Sequence, residues 1–137
     1  MRRIFVLLAA LAMLVVMATP VSAAFQDRTE LSGANEVPPA DPDGHGFARV
    51  SFDQSGIVCY DIRVENVDDL TVAHIHVGPA GVNGPIVVDF DVPANGLKNC
   101  VAADLEVLVA IRDNPSNYYV NVHSVEFPGG AVRGQLG

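Results

Sequence analysis

From residue 46 onward, apolar side chains recur at every second position. Ala48, Val50 and Phe52 alternate with Arg49 and Ser51, and Val58, Tyr60, Ile62 and Val64 alternate with Cys59, Asp61 and Arg63. That period predicts two strands, each burying one face. Asp53-Gln54-Ser55-Gly56 between them has hairpin-turn composition, so the two are expected as antiparallel partners. Residues 71–77 predict a third strand and residues 85–90 a fourth, separated by a Gly/Pro/Asn loop, and residues 93–96 interrupt the pattern again. Between residues 102 and 112 the spacing of Leu105, Leu108, Val109 and Arg112 suits one short helix. Asn114-Pro115 ends it, because proline disfavours a helical residue ahead of it. Residues 118–125 and 131–136 predict a last strand pair around Phe127-Pro128-Gly129-Gly130. Residues 31–39 read as an irregular edge segment pinned by hydrogen bonds of Asn35 and Glu36. Many short strands at this spacing predict a mainly β fold, an antiparallel β-sandwich or Greek-key barrel with one short helix.

The amino terminus changes the picture of where such a fold works. Arg2-Arg3, an unbroken apolar run over residues 4–18, and the small-x-small ending Val21-Ser22-Ala23 have the pattern of a secretory signal peptide over residues 1–23. The stretch would also reach across a bilayer as an anchor, but Pro20 and the cleavage pattern argue for removal. Residues 24–137 are then expected to form one domain, secreted and free of the membrane. Losing Arg2 and Arg3 leaves 6 basic against 16 acidic residues, and the formal charge moves from −8 to −10. Such a balance argues against nucleic acid or an anionic membrane as partner, and leaves an extracellular protein or small ligand. Cys59 and Cys100 are the only cysteines, and in an oxidising compartment a disulfide is their expected state. Their spacing does not suit a redox Cys-x-x-Cys pair or a zinc finger.

Candidate chemistry concentrates in the histidines. His74 and His76 lie two apart on one predicted strand and share a face, while Ala73, Ile75 and Val77 point the other way. On the 118–125 strand Val120 and Val122 form the apolar set, so Asn121 and His123 take the opposite, wetter face. If the two strands are neighbours, three imidazoles meet on one outward surface, and His74, His76 and His123 become candidate metal ligands, with copper or zinc the suited ions. The same residues also suit a structural role in which the rings hydrogen-bond one another, Asn121, Asn83 or loop carbonyls and fix the Gly/Pro loop against the sheet, and His-x-His alone is common on strands. Other motifs are blander. Gly78, Gly81 and Gly84 lack the following lysine and helix of a phosphate loop. Ser124 points away from His123 and no nucleophile-elbow motif is present. Arg133 is expected in a salt bridge, with a role in steering anions as the alternative, and Asp89 with Asp91 in a solvated acidic edge.

Four ordered segments also carry a family resemblance: residues 31–39 (LSGANEVPP), 73–85 (AHIHVGPAGVNGP), 119–124 (YVNVHS) and 127–136 (FPGGAVRGQL). Together they resemble the CHRD domain, named for its repeats in chordin and found as a stand-alone secreted domain in bacteria. The sequence departs from the family pattern at Ala131, Ser124 and His45 and keeps the three shared histidines. The resemblance implies an extracellular β-rich binding or interaction module without naming its partner. At the level of motif order, His-x-His, a later strand histidine and a terminal Gly-Gly-x-x-Arg-Gly hairpin are similar to the copper-zinc superoxide dismutases. The fold expected is therefore immunoglobulin-like or superoxide-dismutase-like. A copper-dependent redox enzyme is the alternative function, although only His45 is left to supply further ligands.

Overall fold

The alternating segments form strands in the computed structural model, which describes residues 24–92 and 97–137. The leader expected over residues 1–23 and the break expected at 93–96 lie outside the described residues. The strands are β1 (Phe25–Ser32), β2 (His45–Phe52), β3 (Ile57–Glu65), β4 (Leu70–Val77), β5 (Ile86–Phe90), β6 (Lys98–Ala102), β7 (Tyr118–Ser124) and β8 (Val132–Gln135), with one helix, α1 (Leu105–Asp113), between β6 and β7. They join in one sheet of order β5-β4-β7-β8-β1-β2-β3-β6, every neighbouring pair antiparallel. The sheet curls until β5 and β6 approach one another, nearly closing a barrel. The Tyr60 hydroxyl helps bridge that seam by donating to the carbonyl of Asp91, just past β5.

Period-two patterning decides what fills the barrel. Val50, Val58, Ile75, Val120, Val122 and Val132 are wholly buried inside it. The short helix closes one end. Its Asp104 cap accepts from the Glu106 amide at 2.8 Å, and Leu108 and Ile111 are buried. Leu105 and Leu108 line a crevice with Phe25 and Phe52, whose rings stack at 4.6 Å.

Three differences from the expected pattern have physical reasons. Strand β1 lies in the middle of the sheet, between β8 and β2, so residues 31–39 leave a central strand rather than running along an edge. Its inward positions include Asp27 and buried Thr29, which break the apolar alternation. Strand β6 is polar and exposed over Lys98, Asn99 and Cys100, and so carries no apolar alternation at all. Helix α1 begins at Leu105 rather than 102, because the Asp104 side chain supplies its first hydrogen bond.

Cys59 and Cys100 are cross-strand partners of β3 and β6 and form the expected disulfide. It ties a polar edge strand to the barrel. Opening the intervening loop of 41 residues with Cys59→Ser and Cys100→Ser is expected to cost about 4 kcal/mol on the loop-entropy argument. Denaturant melts of the two forms read this directly, and a difference below about 1 kcal/mol would contradict it.

Candidate metal centre on the outer face of the sheet

Because Ala73 and Ile75 of β4 and Val120 and Val122 of β7 point into the barrel, the residues between them point out. The two strands are neighbours. His74 sits opposite Asn121 and His76 opposite Tyr119. The row extends on both sides, with Asp89 of β5 across from His74 and Arg133 of β8 across from Asn121. A polar row, Asp89-His74-Asn121-Arg133, thus crosses four strands on the barrel's outer surface, with His76, Tyr119 and Gln135 in the next row.

This face is not the wetter one that alternation implies. His74 and His123 are 9% exposed, Arg133 4% and Asn121 1%. Three chain segments fold over it: residues 33–41, the glycine loop 78–85 and the hairpin 125–131. Arg133 ties the first two together. Its guanidinium pairs with the buried Glu36 carboxylate at 3.1 Å, donates to the Val82 carbonyl at 3.2 Å and to the Asn83 side chain, and lies 3.9 Å over the Tyr119 ring. Asn121 donates to Glu36 at 2.8 Å, and Asn83 donates to the Val37 carbonyl at 2.7 Å. Glycine is required where the cover is tightest. A Cβ at Gly84 would stand 1.5 Å from the Val77 carbonyl oxygen, and one at Gly130, whose φ is +131°, would meet Asn121 and Glu36 at 2.7 Å.

Under this cover His74, His76 and His123 converge, each offering one ligand nitrogen, with all three nitrogens within 4.8 Å of one another. His74 Nδ1 and His123 Nε2 are 3.1 Å apart. The second nitrogen of each ring faces a group that can only accept: Gly84 O for His76 Nδ1 at 2.8 Å, Pro128 O for His123 Nδ1 at 2.9 Å, and the Asp89 carboxylate for His74 Nε2 at 3.3 Å. His76 Nε2 is buried without a partner. The His76 ring stacks parallel on Tyr119 at 4.9 Å, whose hydroxyl accepts from the Gly84 amide at 3.1 Å.

Burial, reinforced by the neighbouring His123 and His76, pushes the His74 pKa down to about 4. Burial also holds His76 below the usual imidazole range. Burial raises the Glu36 carboxyl, while Arg133 and Asn121 pull it back. In the unfolded chain His74 takes up its proton near pH 6.5, whereas the native chain resists until about 4. The unfolded state therefore binds more protons across that window, and stability is full above it and falls as the pH drops. The metal-free protein is expected to lose roughly 3 kcal/mol between pH 6.5 and 4 through this group, at about 1.4 kcal/mol per unit. Urea titrations at stepped pH check this against His74→Asn, which should flatten the profile.

Of the remaining sequence candidates only Asp89 contacts the triad. His45 is exposed at the start of β2, 3.4 Å from Glu65, and adds nothing to the cluster. Ser124 accepts from the Phe127 amide and fixes the hairpin. Arg133 forms the expected salt bridge. Asp89 is solvated, 81% exposed, yet also orients His74. Asn35 and Glu36 pin their segment as expected, through the Arg133 carbonyl and the Asn121 amide, but the pairing of Glu36 with Arg133 and the place of Tyr119 escaped the sequence, since their partners lie 97 and 43 residues away along the chain.

An antiparallel β-barrel with a loop-covered polar layer carrying three converging histidines defines the class. The CHRD domain family matches residues 28–136, most of the 137-residue chain. The chain belongs to the CHRD domain family, which supports a binding module, and with the disulfide fits an extracellular protein. No match was found among curated proteins or among solved structures.

Proposed function

We propose that this chain is a secreted CHRD binding module whose histidine triad holds a transition-metal ion, copper or zinc. The proton inventory of the cluster carries the reading. Three outward nitrogens face acceptor-only partners and so keep the ring hydrogens. The inward nitrogens, His74 Nδ1, His76 Nε2 and His123 Nε2, are then lone pairs pointed at one another. Without a cation, His74 Nδ1 and His123 Nε2 oppose each other at 3.1 Å and His76 Nε2 has no partner. A single metal ion satisfies all three at once. Outward hydrogen bonds of this kind to carbonyl or carboxylate are what fix ligating histidines elsewhere. Nitrogens on one ion at 2.0–2.1 Å stand about 3.4 Å apart, so with the three spread within 4.8 Å, seating it draws the widest pair together by up to about 1.4 Å.

Metal analysis of protein secreted by its native route, without a histidine tag, tests this beside His74→Ala/His123→Ala. One equivalent of copper or zinc per chain in the first and none in the second is expected. Equal metal in both would overturn the reading. A copper-dependent dismutase is separated by the same samples. We expect no sustained superoxide turnover from the copper-loaded form, since His45 stands on another part of the sheet and the triad lacks a fourth, bridging imidazole. Turnover abolished by His76→Ala would establish the enzyme instead.

A further inference from the structure

The outer face of the other half of the barrel is built differently. Phe47 stands on the outward face of β2, with the Arg28 guanidinium 4.4 Å over its ring and those of Arg49 and Arg63 each at 5.7 Å. Lys98 joins them through Asp61, to which it pairs at 3.3 Å, as Arg63 does at 3.6 Å. Beyond residue 23 the sequence has only six Lys and Arg residues, and four of them share this face. The other two are engaged elsewhere, Arg112 with Asp113 and Arg133 with Glu36.

The arrangement is locally unfavourable. Arg28 and Arg49 are direct cross-strand partners of β1 and β2, and like charges in that position destabilise a sheet. Among the described residues neither has a carboxylate within salt-bridge distance. The negative face of the Phe47 ring offsets part of the repulsion, a contact worth about 0.5–1 kcal/mol at exposed sites, and Asp61, the cross-strand partner of Arg49, is shared with Arg63 and Lys98. A chain of net charge −8 could relieve this with one exposed glutamate, yet it keeps its cations together around an aromatic ring. Natural proteins break such local rules chiefly at functional sites, and here three guanidinium groups and an ammonium share a single salt-bridged carboxylate among the described residues.

We infer that the Arg28-Arg49-Arg63 face around Phe47 docks a short acidic segment of a partner protein, two or three Asp or Glu carboxylates seated on the guanidinium groups. Guanidinium groups grip carboxylates through paired hydrogen bonds, and arginine beside an aromatic ring is the side-chain combination that anchors protein interfaces. The patch spans three strands, about 10 Å at sheet spacing, and Glu30, Asp61 and Glu65 lie on the same outward face around it. That extent suits a few carboxylates. A long polyanion would run onto the surrounding negative surface and be repelled.

This inference is independent of the metal reading, and its test uses the full secreted protein with no metal added. The probe is a fluorescein-labelled hexapeptide of alternating glutamate and serine, followed by fluorescence anisotropy at low and high salt. Saturable binding that weakens with salt is expected, with at least about a tenfold loss in Arg28→Glu/Arg49→Glu as two charge-assisted contacts disappear. Both sites are exposed, so thermal melts should show these variants folded, and Arg49→Ser gives a milder loss without charge reversal. Arg112→Glu, a charge change away from the patch, should bind as the parent does. Absence of saturable binding, or an equal loss in Arg112→Glu, would overturn the inference. So would preferential binding of a sulfated hexasaccharide, which would make the partner a polysaccharide, or a concentration-dependent dimer that excludes the peptide, which would assign the face to a second copy of this chain.

Discussion

Replacing His76 with alanine should lower affinity for copper or zinc at neutral pH by more than about 100-fold, beyond the 10–100-fold that loss of an outer-shell partner brings. His76 is the most diagnostic of the three candidate ligands. His74 and His123 also contact one another, so removing either changes the surroundings of the other as well as the set of nitrogens. His76 Nε2 has no such partner, and its other nitrogen engages only the Gly84 carbonyl. The stability cost of the substitution in metal-free protein should accordingly be modest, about 1–3 kcal/mol for the carbonyl left unpaired. Calorimetric titration of parent and variant with each ion measures the first quantity, and denaturant melts the second. A variant that binds metal as the parent does, while losing stability, would reduce the triad to a structural cluster.

The largest effect on folding is expected at Arg133→Met. This removes one partner of a buried ion pair, leaving the Glu36 carboxylate with Asn121 alone, and breaking such a pair from one side costs about 3–5 kcal/mol. The contacts to Val82 and Asn83 go with it, and so does the cation over Tyr119. Pairing Arg133→Met with Glu36→Gln should recover part of the loss, because a neutral amide can stay buried beside Asn121 without a counter-charge. Urea denaturation of the four forms gives the coupling energy. A single-variant cost below about 1 kcal/mol would show that the covering segments are held chiefly by something else. Since the loop that Arg133 holds also carries Gly84, metal affinity should fall in Arg133→Met even though the arginine touches none of the three histidines' candidate ligand nitrogens.

Much of this molecule follows from the chain read one residue at a time. Alternation places Ala48, Val50, Val58 and Ile75 inside, and the same period places His74 and His76 on the face opposite Ile75, because successive strand side chains point to opposite sides whatever the neighbours are. Turn residues bound the strands, and two cysteines in one chain have only one possible intramolecular partner each. Strands β1 and β6 were illegible for the complementary reason. Asp27 and Thr29 on one, and Lys98 and Asn99 on the other, do not alternate, and only pairing with neighbours makes them strands.

The tertiary structure decided what the histidine face became. Period two says which way a side chain points and nothing about which strand lies beside it or what covers it. The order β5-β4-β7-β8 brings His123 to His74 across 49 residues of chain, and it aligns Arg133 with Asn121 so that Glu36 can be buried against both. That ion pair holds two of the three covering loops over a surface the alternation left open to water. Covered in this way, the imidazoles lose solvent and His74 resists protonation until about pH 4. Their outer nitrogens find loop carbonyls and the Asp89 carboxylate, and their remaining lone pairs face a common centre. The sequence determines which residues can be ligands, because residue type and face are local properties. Their convergence, protonation and shielding depend on contacts between distant segments, which exist only once the sheet has closed.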